Sequence, residues 1–169
     1  MLTIISAIIT VLFIGVSTGG LLVSRRIDPH QSLFIVVGLA FFLFSYIGMF
    51  FGIKVVGFIG TTGMSIMFGL FCLGLIGFLI WKYDPAFGYV KQEPVSLSIF
   101  IIFFFFIGME LGVLELSLWL SILFTIIFVG GAFLGFMAVY QILYRHRSSQ
   151  LLALLPLVPL LFIGLFKLI

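Results

Sequence analysis

Charge is what this 169-residue chain has least of: eight Lys and Arg and five Asp and Glu, 8% of the sequence. A water-soluble domain needs a polar skin. That shortage, with 64% hydrophobic residues and a mean hydropathy of +1.47, excludes one and points to a membrane protein. Cysteine is nearly absent. Cys72 stands alone in an apolar run, which leaves no disulfide, no metal cluster and no redox pair, only a small buried side chain. His30 and His146 lie among arginines in different turns, without metal-ligand spacing. The chain has no Walker-type phosphate loop, nucleophile elbow or HExxH motif, and no acid-base set at one membrane depth. It therefore reads as a non-enzyme that needs no cofactor or metal. Its basic residues are scattered over short loops and form no patch, so nucleic acid is not an expected partner.

What is present is long apolar runs. A hydrocarbon core about 30 Å thick takes roughly 20 apolar residues per helix. Runs of about that length extend over Leu2 to Val23, Ser32 to Phe51, Val55 to Trp81, Val95 to Leu114, Leu116 to Tyr144 and Leu151 to Ile169. The first has no basic residue before it and no small-residue cleavage site ahead of its arginines, so it reads as a retained span. The expected fold is all-α and integral to the membrane, with six transmembrane helices in one transmembrane domain, 1–169, and the lipid bilayer as its immediate partner.

Sidedness follows from the basic residues. Arg25, Arg26, Lys82, Lys91, Arg145 and Arg147 fall in one set of loops, and only Lys54 and Lys167 in the other. The positive-inside rule puts the larger set in the cytoplasm and both termini outside a bacterial-type plasma membrane. Trp81, Tyr83, Tyr89, Tyr140 and Tyr144 mark the cytoplasmic ends and Trp119 the outer one. Asp28-Pro29 and Asp84-Pro85 each pair a capping carboxylate with a proline suited to the first helical position, and Ser148 or Ser149 takes the cap's place in the third turn. Lys91, Glu93 and Pro94 complete the longest loop, where 85–89 suits a short interfacial helix.

One phrase occurs twice. Tyr46 to Gly52 reads YIGMFFG and Phe106 to Gly112 reads FIGMELG, with a weaker echo from Phe162 to Phe166. This suggests three parallel two-helix repeats, over 1–52, 55–114 and 116–169. Glycine recurs at four-residue spacing in Gly15 and Gly19, Gly48 and Gly52, Gly108 and Gly112, and Gly131 and Gly135. Lipid gives little hydrophobic drive for helix association, so small residues that let backbones approach mark glycine-rich packing seams. These seams serve packing within the chain or an interface with a membrane-protein partner or a second copy. The bulky run Phe103 to Phe106 is then expected to face lipid.

An ionisable group inside a span is a functional candidate by default. Glu110 is the one acid able to sit inside a span, about one turn from its outer end. It points about 200° from Gly108, off the glycine face. It reads either as an interfacial charge reaching water or, with Glu115 and with Lys54 as counter-ion, as an outward cation or proton site. Thr61, Thr62 and Ser65, among the glycines of the third run, are the remaining candidates for a polar path. Pro156 and Pro159 should kink the sixth span and free the carbonyls of Leu152 and Leu155. Two functions fit: a small-solute or ion transporter, which needs a polar path, and a non-transporting subunit that stabilises or regulates a partner, which needs a small-residue face left unfilled.

Overall fold

The structure is a computed structural model that describes residues 2–23, 31–83, 94–145 and 154–168. These residues form α1 (Leu2–Leu21), α2 (Gln31–Lys82), α3 (Pro94–Val113), α4 (Leu120–Arg145) and α5 (Leu157–Phe166), with no strand among them. The element α2 is two helical arms that meet at Gly60, whose φ of 69° and ψ of 168° are not helical. A Cβ strains that conformation and glycine has none, so the break falls there. The expected caps at Asp28, Asp84, Ser148 and Ser149, and the interfacial segment 85–89, lie outside the described residues. Pro94 is the first residue of α3, where its missing N–H is no loss.

Four stretches are long and apolar enough to cross a membrane: Thr3–Leu21, Leu33–Lys54, Gly60–Lys82 and Leu120–Ile142. Ser98–Val113 and Leu157–Phe166 are shorter apolar helices. Large apolar side chains cover the outside. On the first arm of α2, Ile35, Leu39, Leu43, Tyr46, Ile47 and Phe50 form an exposed stripe at helical spacing, from 43% to 63% accessible. Water would penalise a skin of that kind and hydrocarbon does not. Trp81 and Trp119, 80% and 81% accessible, stand at opposite ends of the bundle, as interfacial indoles do.

The last apolar run departs from expectation. Its helix covers only Leu157–Phe166, and Pro156 stands at the N-cap, not inside a kinked span. Pro159 then falls in the first turn, where backbone N–H groups have no helical partner in any case. The Leu155 carbonyl is not left free, because it accepts the Val158 N–H at 3.2 Å; Leu152 lies outside the described residues. The Pro156 carbonyl accepts the Ser17 hydroxyl of α1 at 2.6 Å.

Two helix pairs come together at glycines. A Cβ built on Gly15 would stand 2.5 Å from the Phe128 carbonyl oxygen, and one on Gly131 would stand 2.7 Å from that of Leu12. Gly19 and Gly135 would collide more severely, with the Ala132 and Val16 carbonyls. Positions rise together along α1 and α4, so these helices are parallel. In the second pair, Gly48 and Gly52 abut the backbones of Phe105 and Met109, while Gly108 and Gly112 abut those of Ser45 and Met49. The two copies of the repeated phrase therefore pack on one another, each supplying the glycines that the other's backbone needs. Gly69 approaches the Gly164 carbonyl oxygen and Leu168, and Gly164 approaches Cys72 and Leu73, so α5 runs antiparallel to the second arm.

Phenylalanine fills the space between these pairs. Phe41 stacks on Phe128 with centroids 4.0 Å apart, and Phe104 meets both edge-on at 5.4 Å. Phe103 stacks beside Phe68 and Phe71, and Phe71 beside Phe106. The lipid-facing expectation for Phe103 to Phe106 fails at the first two, which are 1% and 3% accessible; Phe105 and Phe106 are half-buried. Phe103 and Phe104 pack with Val11, Ile14, Met49, Ile107 and Leu111 in one buried cluster.

Candidate functional site: a buried ion pair

The face of α3 that carries Gly108 and Gly112 is committed to the first arm of α2. Two residues on from Gly108, at about 200° around the helix, Glu110 is turned toward the other side of the bundle. Its side chain is buried, 4% accessible, and its Oε1 lies 2.5 Å from Lys167 Nζ at the end of α5. The Lys167 side chain is itself only 10% accessible. The expected wet rim is thus corrected: α5 and the second arm of α2 cover the carboxylate. Lys167 is the ion partner of Oε1, and no second partner for that oxygen is found among the described residues.

The C-cap of α5 is Lys167, whose backbone N–H donates to the carbonyls of Ile163 and Leu165. Leu168 contacts the site of Gly69, nine residues along the second arm from Gly60. At about 1.5 Å per residue, that places the end of α5 roughly 13 Å from the break at Gly60. Cys72 is fully buried beneath Gly164, with its Cβ 3.3 Å from a Cβ built there. It lies within electrostatic reach of both members of the pair. Four other buried hydroxyls turn to backbone carbonyls: Thr10 to Ser6, Ser17 to Pro156, Ser45 to Phe42 and Ser121 to Leu118. Among the described residues, these four hydroxyls form no chain of polar groups leading to Glu110.

The remaining sequence candidates are dispersed. Glu115 is exposed in the turn after α3, at a φ of 54°. Lys54 is exposed, its Nζ 4.6 Å from the centroid of the Phe50 ring, a cation-π contact and not a counter-ion for Glu110. Thr61 and Thr62 are exposed just after the break at Gly60, and Ser65 is half-buried. Among the described residues, no three His, Cys, Asp or Glu side chains gather as a metal site would require. Three grooves lined by described residues are almost wholly apolar. One of about 310 Å³ lies between α1 and α5, lined by Ile5, Ile9, Phe13, Phe162 and Phe166 among others.

The split of basic residues places Lys167 with Lys54 on the outer side and does not reveal it as the partner of Glu110. The available signal was a lone cation at the end of an apolar run, matched by a lone acid inside another. No protein-family model, curated protein or solved structure matches the chain.

Proposed function

We propose that this chain is a multi-span plasma-membrane protein, both termini outside, that serves as a non-transporting subunit: it packs against a partner membrane protein and stabilises or regulates it. The observation that carries this reading is the outward face of the second arm of α2. Gly74 and Gly77 are exposed there, and a Cβ on either would meet nothing within 4 Å. Gly74 borders a groove of about 550 Å³ lined by Met67, Leu70, Phe71, Ile99, Ile102 and Phe106 among others. In the four-residue glycine pairs of α1, α3, α4 and the first arm of α2 the missing Cβ is met by another helix backbone; at Gly74 and Gly77 that place is empty, as a helix-binding face requires. The ring-filled interior agrees with the reading, since a solute path needs polar groups in line. The three-unit repeat and the glycine seams belong to the same proposal, with packing between the two copies of the phrase as the physical reason for their likeness.

A double Gly74→Leu/Gly77→Leu variant tests it. A photo-crosslinking residue at Leu70 should join the protein to its partner in native membranes, and the double variant should lose that product while its thermal unfolding in detergent is unchanged. An undiminished product in the variant would reject the face. The buried Glu110–Lys167 pair favours a second reading, ion- or proton-coupled transport. That reading requires pH-dependent flux in vesicles holding the purified protein alone, and loss of the flux in Glu110→Gln at equal protein level.

A further inference from the structure

A buried ion pair is a poor way to hold a membrane helix in place. Apolar side chains of the same volume are often as stabilising or more so, and an ionisable group inside a span is costly. Here the carboxylate has a single compensating charge, with no second partner for Oε1 among the described residues, whereas the four buried hydroxyls described above donate to carbonyls. The pair also ties down an element suited to movement. With ten residues, α5 is about 15 Å long, roughly half a hydrocarbon core. It is anchored at its base by Ser17 and Pro156, it borders the open groove against α1, and it is fastened at its far end by Lys167.

We propose that Glu110 is a proton-binding site at which a proton and the Lys167 ammonium are alternative partners, and that exchange of one for the other releases the far end of α5 from α3. With Glu110 ionised, Lys167 neutralises it and α5 is docked over Cys72. When Glu110 takes up a proton it becomes a neutral acid, and Lys167, still an ammonium, is left as an unpaired buried charge. Its four-carbon stem lets that charge move toward the outer surface, and α5 pivots about Pro156 as it does so. One proton enters, no bond other than O–H forms, and the net charge of the site rises from zero to plus one. Among the described residues, the groups facing Glu110 are Lys167 from α5 and Cys72 from the second arm of α2; Lys54 and Glu115 are exposed elsewhere. This inference stands apart from the subunit reading and needs neither a partner nor a flux.

Cys72 is a native reporter, being the chain's only cysteine and covered by α5. Its modification by a membrane-permeant maleimide is followed in the full chain in lipid vesicles, against the denatured protein at each pH. Between about pH 8 and pH 5 the relative rate should rise by about tenfold per pH unit before levelling, because each opening takes up one proton. Thiol chemistry alone gives a flat ratio, because acid depletes thiolate in the native and the denatured protein alike. Glu110→Gln, a permanent neutral form, should label fast at all pH values. The double variant Glu110→Met/Lys167→Met should label slowly and without pH dependence, which also shows that the fold survives loss of the charges. A flat wild-type profile, or labelling of Glu110→Gln as slow as wild type while the double variant is folded, would overturn the proposal.

Discussion

Glycine is used in two opposite ways in this bundle, and the contrast separates internal packing from exposed surface. At Gly19, Gly48, Gly108 and Gly135 the missing Cβ is occupied by a neighbour's backbone, whereas at Gly74, Gly77 and Gly130 it leaves open space. The residue type and the apolar surroundings are the same in both sets. What differs is whether a second glycine pair lies at matching height on an adjacent helix, as Gly108 and Gly112 do for Gly48 and Gly52. A small side chain in a membrane helix thus marks a permitted approach, and only the fold decides whether the approach is taken.

Substitution should divide the two sets by sign as well as by size. The largest effect is expected at Gly108→Leu, because the side chain must displace the Ser45 backbone and not a flexible side chain. The damage should exceed the roughly 1–3 kcal/mol typical of an overpacked core, seen as loss of the monodisperse folded species in size-exclusion chromatography in detergent. A well-folded Gly108→Leu protein would erase the contrast. Next is Phe104→Ala, which empties the space beside Phe41 and Phe128. It should cost about 3–5 kcal/mol, as large aromatic deletions in cores do, measured by denaturant unfolding in mixed micelles. A shift of a few tenths would return that ring to the lipid face. Ser17→Ala leaves the Pro156 carbonyl without its buried donor and should cost about 1–3 kcal/mol, with faster hydrogen exchange confined to α5. The smallest change sharpens the comparison most: Gly77→Ala adds a methyl in open space within a helix. It should stabilise the isolated protein by up to about 1 kcal/mol through helix propensity, while Gly108→Ala destabilises it.

Much of the architecture was legible in the chain. Long apolar runs forced helices, because hydrocarbon offers no partner for a free N–H or C=O, and four of the runs became helices long enough to cross. Gly15, Gly19, Gly48, Gly52, Gly108, Gly112, Gly131 and Gly135, which four-residue spacing singles out, each lie against a neighbouring helix backbone. Phe104 and Glu110 were read less well, and for a common reason. Periodicity told which way each pointed relative to Gly108, but not what stood there, and the missing element in each case came from far along the chain: Phe128 for the ring, Lys167 for the acid.

The sequence by itself determined the solvent of this protein, its helical class and the positions where backbones are able to touch. These are local consequences of transfer free energy and of side-chain volume. The tertiary structure alone decided which glycines close and which remain open, that the two copies of one phrase meet each other, and that the sixth apolar run yields a ten-residue helix beginning after Pro156. It also decided that an acid and a base 57 positions apart share one buried place. Such pairings depend on the relative heights and rotations of whole helices. Those are fixed when all the contacts form together, and no window of residues contains them.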